Sequence, residues 1–142
     1  MRLSVVIRSY GMDEVVLDMG SEFNVMAKQT WEIMAKPKLT FSPIQLSLAN
    51  QQRVSPLGRL SSIRVDLDGV RSLADFEVIE IIDDNTPYPA LLGIDWAFLS
   101  WISFKQLCKK DFTLDVDSVS WHTTVLVLAF QSVRSSIFLF DT

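Results

Sequence analysis

Short segments in which apolar and polar residues alternate constrain the fold of this chain more than any other feature. Leu3, Val5 and Ile7 alternate with other residues near the N-terminus, and the same period of two returns over residues 44–48 and 63–67. Because successive side chains of a β-strand point to opposite faces of the sheet, such segments predict strands with one buried face. We therefore expect a body built mainly from short β-strands.

Turn residues between these segments predict hairpins. Asp68-Gly69 directly follows the segment at residues 63–67, and an Asp-Gly pair suits the two central positions of a tight hairpin turn. Residues 10–13 also carry turn chemistry, and they separate the first alternating segment from the apolar run at residues 15–17. We therefore expect one hairpin at each of these two turns.

Two short helices interrupt the predicted strands. Residues 24–36 have apolar side chains at helical spacing, with Ser21 and Asn24 as possible N-caps, and Pro37 cannot continue the helix. A second short helix is predicted over residues 95–98. The pattern becomes less regular after this point. The sequence thus suggests a domain over residues 1–98 and a divergent C-terminal segment over residues 99–142, for which it predicts no fold.

Composition and charge narrow the class of protein. The chain of 142 residues is 49% hydrophobic and 21% charged, which is typical of one folded domain. Its net charge of −4 disfavours nucleic-acid binding, which usually depends on a basic surface. No uninterrupted apolar segment reaches the roughly 20 residues that a membrane-spanning helix requires. We expect neither a nucleic acid nor a membrane as partner.

The single cysteine, Cys108, gives information about the compartment and about metals. One cysteine cannot form a disulfide within the chain, and a free thiol suits a reducing compartment, so we expect a cytoplasmic location. The chain also has one histidine and shows no ligand spacing typical of a zinc site. The sequence predicts no metal and no other cofactor.

Asp18 is the residue with the clearest chemical potential. The apolar run at residues 15–17 leads directly to this carboxylate, and Gly20 and Ser21 follow it in a predicted turn. Hydrolysis of an amide by carboxylates alone requires two of them, one acting as base towards water and the other donating a proton to the carbonyl oxygen. The Asp-x-Gly-Ser element occurs once in the chain. A second copy of the chain, related by a twofold axis, could supply the other carboxylate.

Several further motifs accompany this element in a defined order. In chain order, the motifs are Val16-Leu17-Asp18-Met19-Gly20-Ser21, Asn24-Val25-Met26, Thr30-Trp31-Glu32, Leu48-Ala49-Asn50-Gln51 with Pro56-Leu57-Gly58, Phe76-Glu77-Val78-Ile79, and Leu91-Leu92-Gly93-Ile94-Asp95-Trp96. With this order and spacing, residues 3–98 resemble the retropepsin-like aspartic proteases of plant gypsy-type LTR retrotransposons.

The resemblance implies a fold and a set of site residues. The fold would be an all-β, retropepsin-like closed barrel with one or two short helices, active as a homodimer. Asp18 would be the catalytic residue, one from each subunit, and residues 49–58 would form a flap over the substrate. Leu92-Gly93 would pack beneath the Asp18 turn. The residues implied in substrate binding are Gly20, Ser21, Glu22, Ala49, Asn50 and Gln51.

The resemblance also implies an activity. The chain would be an aspartic endopeptidase that acts on a peptide or polyprotein substrate, with processing of a retrotransposon polyprotein as its role. Met19 departs from the family, in which a Thr or Ser hydroxyl at this position bonds across the dimer axis. The alternative hypothesis is therefore a catalytically inactive relic of the retropepsin fold, or a protein-interaction module.

Overall fold

The computed structural model describes residues 2–47, 53–80 and 88–110, with side chains in the last helix as far as residue 103. Eight strands and two helices lie in these ranges. In chain order they are β1 (Arg2–Ile7), β2 (Tyr10–Leu17), β3 (Asn24–Ala27), α1 (Lys28–Ile33), β4 (Leu46–Ser47), β5 (Arg53–Val54), β6 (Gly58–Leu67), β7 (Val70–Ile79), β8 (Ala90–Leu92) and α2 (Ile94–Lys110).

Six of the strands close into a barrel. Their order around it is β1-β2-β8-β3-β7-β6, and β4 and β5 form a separate two-stranded sheet. Most neighbouring strands are antiparallel, but β2 runs parallel to β8, and β3 runs parallel to β7. The expected all-β closed barrel with two helices is confirmed. Its assembly into a homodimer stays a prediction.

The alternation in the sequence fills the barrel interior. In β1, Leu3, Val5 and Ile7 are buried while the residues between them are exposed. They belong to one core cluster with Val65 of β6 and Phe76 of β7. Full burial of such a side chain contributes roughly 1.5–3 kcal/mol. The core is therefore built by the same apolar positions that predicted the strands.

The hairpin predicted at Asp68-Gly69 is confirmed. Leu67 of β6 pairs with Val70 of β7, so two residues form the loop. Both take a positive φ, 52° for Asp68 and 90° for Gly69, as a type I′ turn requires. The N–H of Gly69 donates to Oδ1 of Asp66 at 2.8 Å, which closes the turn from the side of β6.

The first hairpin turns earlier than the sequence predicted. Residues 10–13 belong to β2, and the turn lies between Ile7 and Tyr10, which pair with each other. Arg8 takes a positive φ of 58°, and its N–H donates to the carbonyl of Arg64 at 2.8 Å. This contact with β6, distant in sequence, fixes the turn position, so the turn predicted at residues 10–13 was wrong.

The predicted helix over residues 24–36 is also corrected. Residues 24–27 form β3, which pairs with β7 on one side and with β8 on the other. Hydrogen bonding to two neighbours outweighs the helical spacing of the apolar residues. Only Lys28–Ile33 is helical, and the chain leaves the helix before Pro37 through two residues of positive φ, Ala35 and Lys36.

The second helix is longer than predicted. α2 runs from Ile94 to Lys110, across the suggested boundary at residue 98, and packs against β7. Trp96 is fully buried, and the hydroxyls of Ser100 and Ser72 lie 3.2 Å apart. The rest of the predicted C-terminal segment, residues 111–142, lies outside the described residues.

Among the described residues, no helix has the length and apolar character that crossing a bilayer requires.

The type I′ turn generates a stability prediction. Gly69→Ala places a Cβ at a positive φ and should lower the free energy of unfolding by about 1–2 kcal/mol. Gly11→Ala is the matched control, because Gly11 lies in β2 without a positive φ, and a Cβ there meets nothing within 4 Å. Urea denaturation at one fixed protein concentration measures both. Equal midpoints for the two variants would contradict the turn geometry.

Candidate active site

Asp18 stands at the point where β2 ends. Leu17 pairs with Leu92 of the parallel strand β8, and the N–H of Asp18 donates to the carbonyl of Leu92 at 3.0 Å. The ladder of β2 and β8 therefore extends as far as the backbone of Asp18. The side chain of Asp18 is exposed, although Leu17 directly before it is buried.

The following turn holds one oxygen of the Asp18 carboxylate. The N–H of Gly20 donates to Oδ1 of Asp18 at 2.9 Å, and the N–H of Ser21 donates to the Asp18 carbonyl at 3.2 Å. The hydroxyl of Ser21 donates to the carbonyl of Phe23 at 2.7 Å, which carries the turn into β3. Hydrogen bonds from a rigid turn limit the rotamers of the carboxylate and so position it in advance for a reaction.

Gly93 supports this turn from below. The N–H of Ile94 donates to the carbonyl of Ser21 at 2.9 Å. A Cβ on Gly93 would lie 2.6 Å from the Ser21 carbonyl oxygen and 2.7 Å from that of Phe23. Both contacts are with backbone atoms, so no other residue fits without moving the turn. The structure thus places Gly93 against the Asp18 turn, the position that the family resemblance implies for it.

Asn24, the first residue of β3, connects β7 with Gly93, which lies between β8 and α2. Its side chain is buried; Oδ1 accepts from the N–H of Gly93 at 2.8 Å, and Nδ2 donates to the carbonyl of Asp75 at 3.0 Å. One side-chain amide therefore satisfies a donor and an acceptor on two separate segments. Sequence reasoning missed this positioning role and took Asn24 for a possible helix cap. The available signal was a polar residue directly before the apolar residues Val25 and Met26.

A small hairpin stands where the sequence implied a flap. Leu46 of β4 pairs with Val54 of β5, and Ser47 pairs with Arg53. The residues that connect the two strands, 48–52, lie outside the described residues. The three substrate-binding residues implied there, Ala49, Asn50 and Gln51, therefore remain predictions.

The hairpin packs on a second apolar cluster, separate from the main core. Leu46 is buried there together with Val25 of β3 and Ile79 of β7. Met26 and Val78, the sequence neighbours of these two residues, belong to the main core instead. Because adjacent strand residues face opposite sides of a sheet, the second cluster lies on the outer face of the barrel wall. The hairpin thus covers the barrel beside β3 and β7.

The other implied residues lie in the loop between β2 and β3. Gly20 and Glu22 are exposed with Asp18, and Ser21 is half-buried. Met19 is half-buried and packs against the main core cluster. The structure therefore brings the implied catalytic residue and three implied substrate-binding residues together in one short loop. Within the described part of the chain, no group of three or more His, Cys, Asp or Glu side chains could hold a metal ion.

The contact of Gly93 with the turn can be tested by adding one carbon atom. Gly93→Ala should lower the free energy of unfolding by roughly 1–3 kcal/mol, because the new Cβ overlaps two backbone carbonyls. Gly11→Ala, which meets open space, again serves as the control. Chemical denaturation measures the difference between the two variants. A Gly93→Ala protein as stable as the Gly11→Ala protein would show that the turn does not rest on Gly93.

Comparison with known proteins finds similarity among solved structures. No protein-family model matches the chain. No curated protein matches it in sequence. Among solved structures, the chain is similar to the retroviral protease-like domain of Ddi1 from Leishmania major. The two share 20% sequence identity over 67% of this chain and 68% of the other, with a TM-score of 0.47.

Proposed function

We propose that the chain is one half of an aspartic endopeptidase and that two copies pair to complete the active site. One observation carries this proposal. An exposed carboxylate, Asp18, follows a buried strand, and its Oδ1 accepts a hydrogen bond from the N–H of Gly20. The turn that contains it is fixed from below by Gly93. The bond from Gly20 closes an Asx-turn that orients the carboxylate, and the contact with Gly93 fixes the position of that turn in the barrel.

Two chains must pair because one carboxylate cannot act as both base and acid in hydrolysis of a peptide bond. The Asp-x-Gly-Ser element occurs once in the sequence, so the second carboxylate comes from a second copy. A twofold axis beside the loop would bring the same residue from each chain to one place. At hydrogen-bonding distance, two carboxyl groups hold one proton between them, because both cannot ionise together.

The mechanism uses this shared proton. The ionised carboxylate takes a proton from a water molecule, and the water oxygen attacks the carbonyl carbon of the peptide bond. The protonated Asp18 of the other subunit donates to the carbonyl oxygen. The resulting tetrahedral diol collapses when the first Asp18 passes the proton that it took from water to the amide nitrogen. The carbon–nitrogen bond breaks, and a hydroxyl of the diol returns its proton to the second Asp18, which restores the shared proton. Backbone groups at Gly20 and Glu22 hold the substrate, and the hairpin of β4 and β5 closes over it.

The motif order and the composition support a biological setting. The segments that resemble plant gypsy-type retrotransposon proteases occur in the family's order, which supports processing of a retrotransposon polyprotein as the role of the enzyme. The single cysteine supports a reducing, cytoplasmic compartment.

Met19 favours a second candidate function. Its thioether has no hydrogen to donate across a dimer axis, and the side chain packs against the core cluster of its own chain. Two symmetric hydrogen bonds are then missing, at a cost of roughly 0.5–1.5 kcal/mol each. If this loss prevents pairing, the chain is a relic of the fold or an interaction module without catalysis.

Peptide cleavage by the purified full-length chain tests the proposal. We expect cleavage of a peptide library at mildly acidic pH and inhibition by a statine-type mimic of the tetrahedral intermediate. At low concentration the rate should rise with the square of chain concentration, because the dimer is the active species. Asp18→Asn should abolish cleavage, since the amide can neither take nor share the proton.

Asp13→Asn is the matched control for this experiment. Asp13 is an exposed carboxylate in β2 whose Oδ1 accepts from the hydroxyl of Ser4 at 2.9 Å, and asparagine retains that acceptor. This variant should cleave like the unmodified chain. Cleavage that survives Asp18→Asn would contradict the assignment of Asp18. A chain that sediments as a monomer at every concentration and cleaves nothing would contradict the protease and favour the second candidate, a relic of the fold or an interaction module without catalysis.

A further inference from the structure

We propose that a cleft beside the Asp18 loop binds a lysine or arginine side chain of an extended peptide. Where that peptide is the substrate, this inference rests on the proposed function. The cleft has a volume of about 530 Å³. Its walls come from the loop between β2 and β3, from β6 and β7, and from the first turns of α2. Three features of the cleft indicate that its ligand is a basic side chain. They are an excess of carboxylates, a buried carboxylate oxygen without a hydrogen-bond partner among the described residues, and an apolar wall.

The charge of the cleft favours a cation. Of the described residues that line it, four are carboxylates and one is a cation, Arg59. The carboxylates are Glu22, Asp75, Glu77 and Asp95. Asp75 uses Oδ1 to accept from the N–H of Ser62 at 2.7 Å, whereas Glu22 and Asp95 are exposed at the edge of the cleft. An excess of carboxylates in a concave site attracts a positively charged ligand.

Glu77 adds an unsatisfied hydrogen-bond acceptor. Its side chain is 4% exposed, and Oε1 accepts from Nε of Arg59 at 2.6 Å. Oε2 has no hydrogen-bond partner among the described residues. A buried carboxylate oxygen without a donor is costly and marks a place for a missing partner. Glu77 lines the cleft, so an N–H of a ligand bound there would supply the missing donor to Oε2 while Arg59 keeps its bond to Oε1.

An apolar wall distinguishes a cationic side chain from a free cation. Leu73 of β7 is 56% exposed, and Phe98 and Leu99 of α2 are 47% and 44% exposed. All three line the cleft together with the carboxylates. Lysine and arginine carry an aliphatic stem below a charged head, so the stem can pack on this wall while the head meets the carboxylates. A small inorganic ion gains nothing from such a wall.

The cleft continues from the site around Asp18. Glu22 lines the cleft and belongs to the same loop as Asp18 and Gly20. Phe23, the next residue, lines the cleft and packs against the apolar cluster beneath the hairpin of β4 and β5. A peptide bound along this loop would therefore lie next to the cleft, because Glu22 belongs to both the loop and the cleft. The cleft would select a basic residue at a distance from the bond that is cleaved.

A binding experiment tests the cleft without using cleavage. The probes are acetyl-Ala-Lys-Ala-amide and acetyl-Ala-norleucine-Ala-amide, which share the aliphatic stem and differ in the charge. We expect NMR titration of the full-length chain to show at least about tenfold tighter binding of the lysine peptide, since only lysine carries the ammonium group with its charge and its N–H donors. The shifts should fall on the amides of Glu22, Ser62 and Asp95. The preference should weaken as salt rises from about 50 mM to about 500 mM.

Two variants locate the effect in the cleft. Asp95→Asn should bring the ratio of the two affinities several-fold closer to one, and this exposed residue tolerates the change. Glu77→Gln should do the same, with folding checked by its NMR spectrum because Arg59 loses its charged partner. Asp13→Asn removes a carboxylate that does not line the cleft and should keep the full preference. Equal affinities for both peptides, or a preference that survives both cleft variants, would overturn the proposal.

The outcomes also separate the cleft from the proposed function. A lysine preference in a chain that cleaves nothing supports the cleft as a peptide-binding site and removes only the protease. An active protease that binds lysine and norleucine peptides equally overturns the cleft and leaves the catalytic assignment intact.

Discussion

The hydrogen bonds that hold the Asp18 turn against Gly93 are the constraint on which the rest of the structure depends. The N–H of Asp18 is bound to Leu92, and the carbonyl of Ser21 is bound to Ile94. These two bonds enclose the turn between the end of β8 and the start of α2. Because a Cβ on Gly93 would overlap two carbonyl oxygens, this arrangement is possible only with glycine at that position. The carboxylate of Asp18 therefore takes its place from backbone packing.

The same contact joins the core to the candidate active site. β8 lies between β2 and β3 in the barrel, so the strands that carry both ends of the Asp18 loop are held by one short strand. Gly93 also accepts the first helical hydrogen bond of α2, from the N–H of Ala97 at 3.2 Å. Trp96, fully buried, anchors that helix to the core. A disturbance of the core near β8 should therefore reach the Asp18 carboxylate directly.

Sequence reasoning succeeded where the determining interactions are local. The alternation of apolar and polar residues correctly predicted which side chains of β1 and β6 are buried, and the Asp68-Gly69 pair correctly predicted the hairpin turn. It failed where a distant partner decides the outcome. β3 is a strand because β7 and β8 pair with it, and both lie about 50 or more residues later in the chain, beyond the reach of any local pattern. The role of Asn24 depends on partners 51 and 69 residues away, which no local pattern reveals. The cleft beside Glu22 combines four separate segments for the same reason.

The proposed mechanism requires two Asp18 carboxylates to meet at one water molecule. A crystal structure of the full-length chain with a statine-type peptide tests it most directly, through the shortest distance between carboxyl oxygens of the two Asp18 side chains. We expect a homodimer in which these oxygens lie about 2.5–3.0 Å apart, the range of a shared proton. A monomer, or a dimer in which the two carboxylates face away from each other with the peptide bound elsewhere, would contradict it.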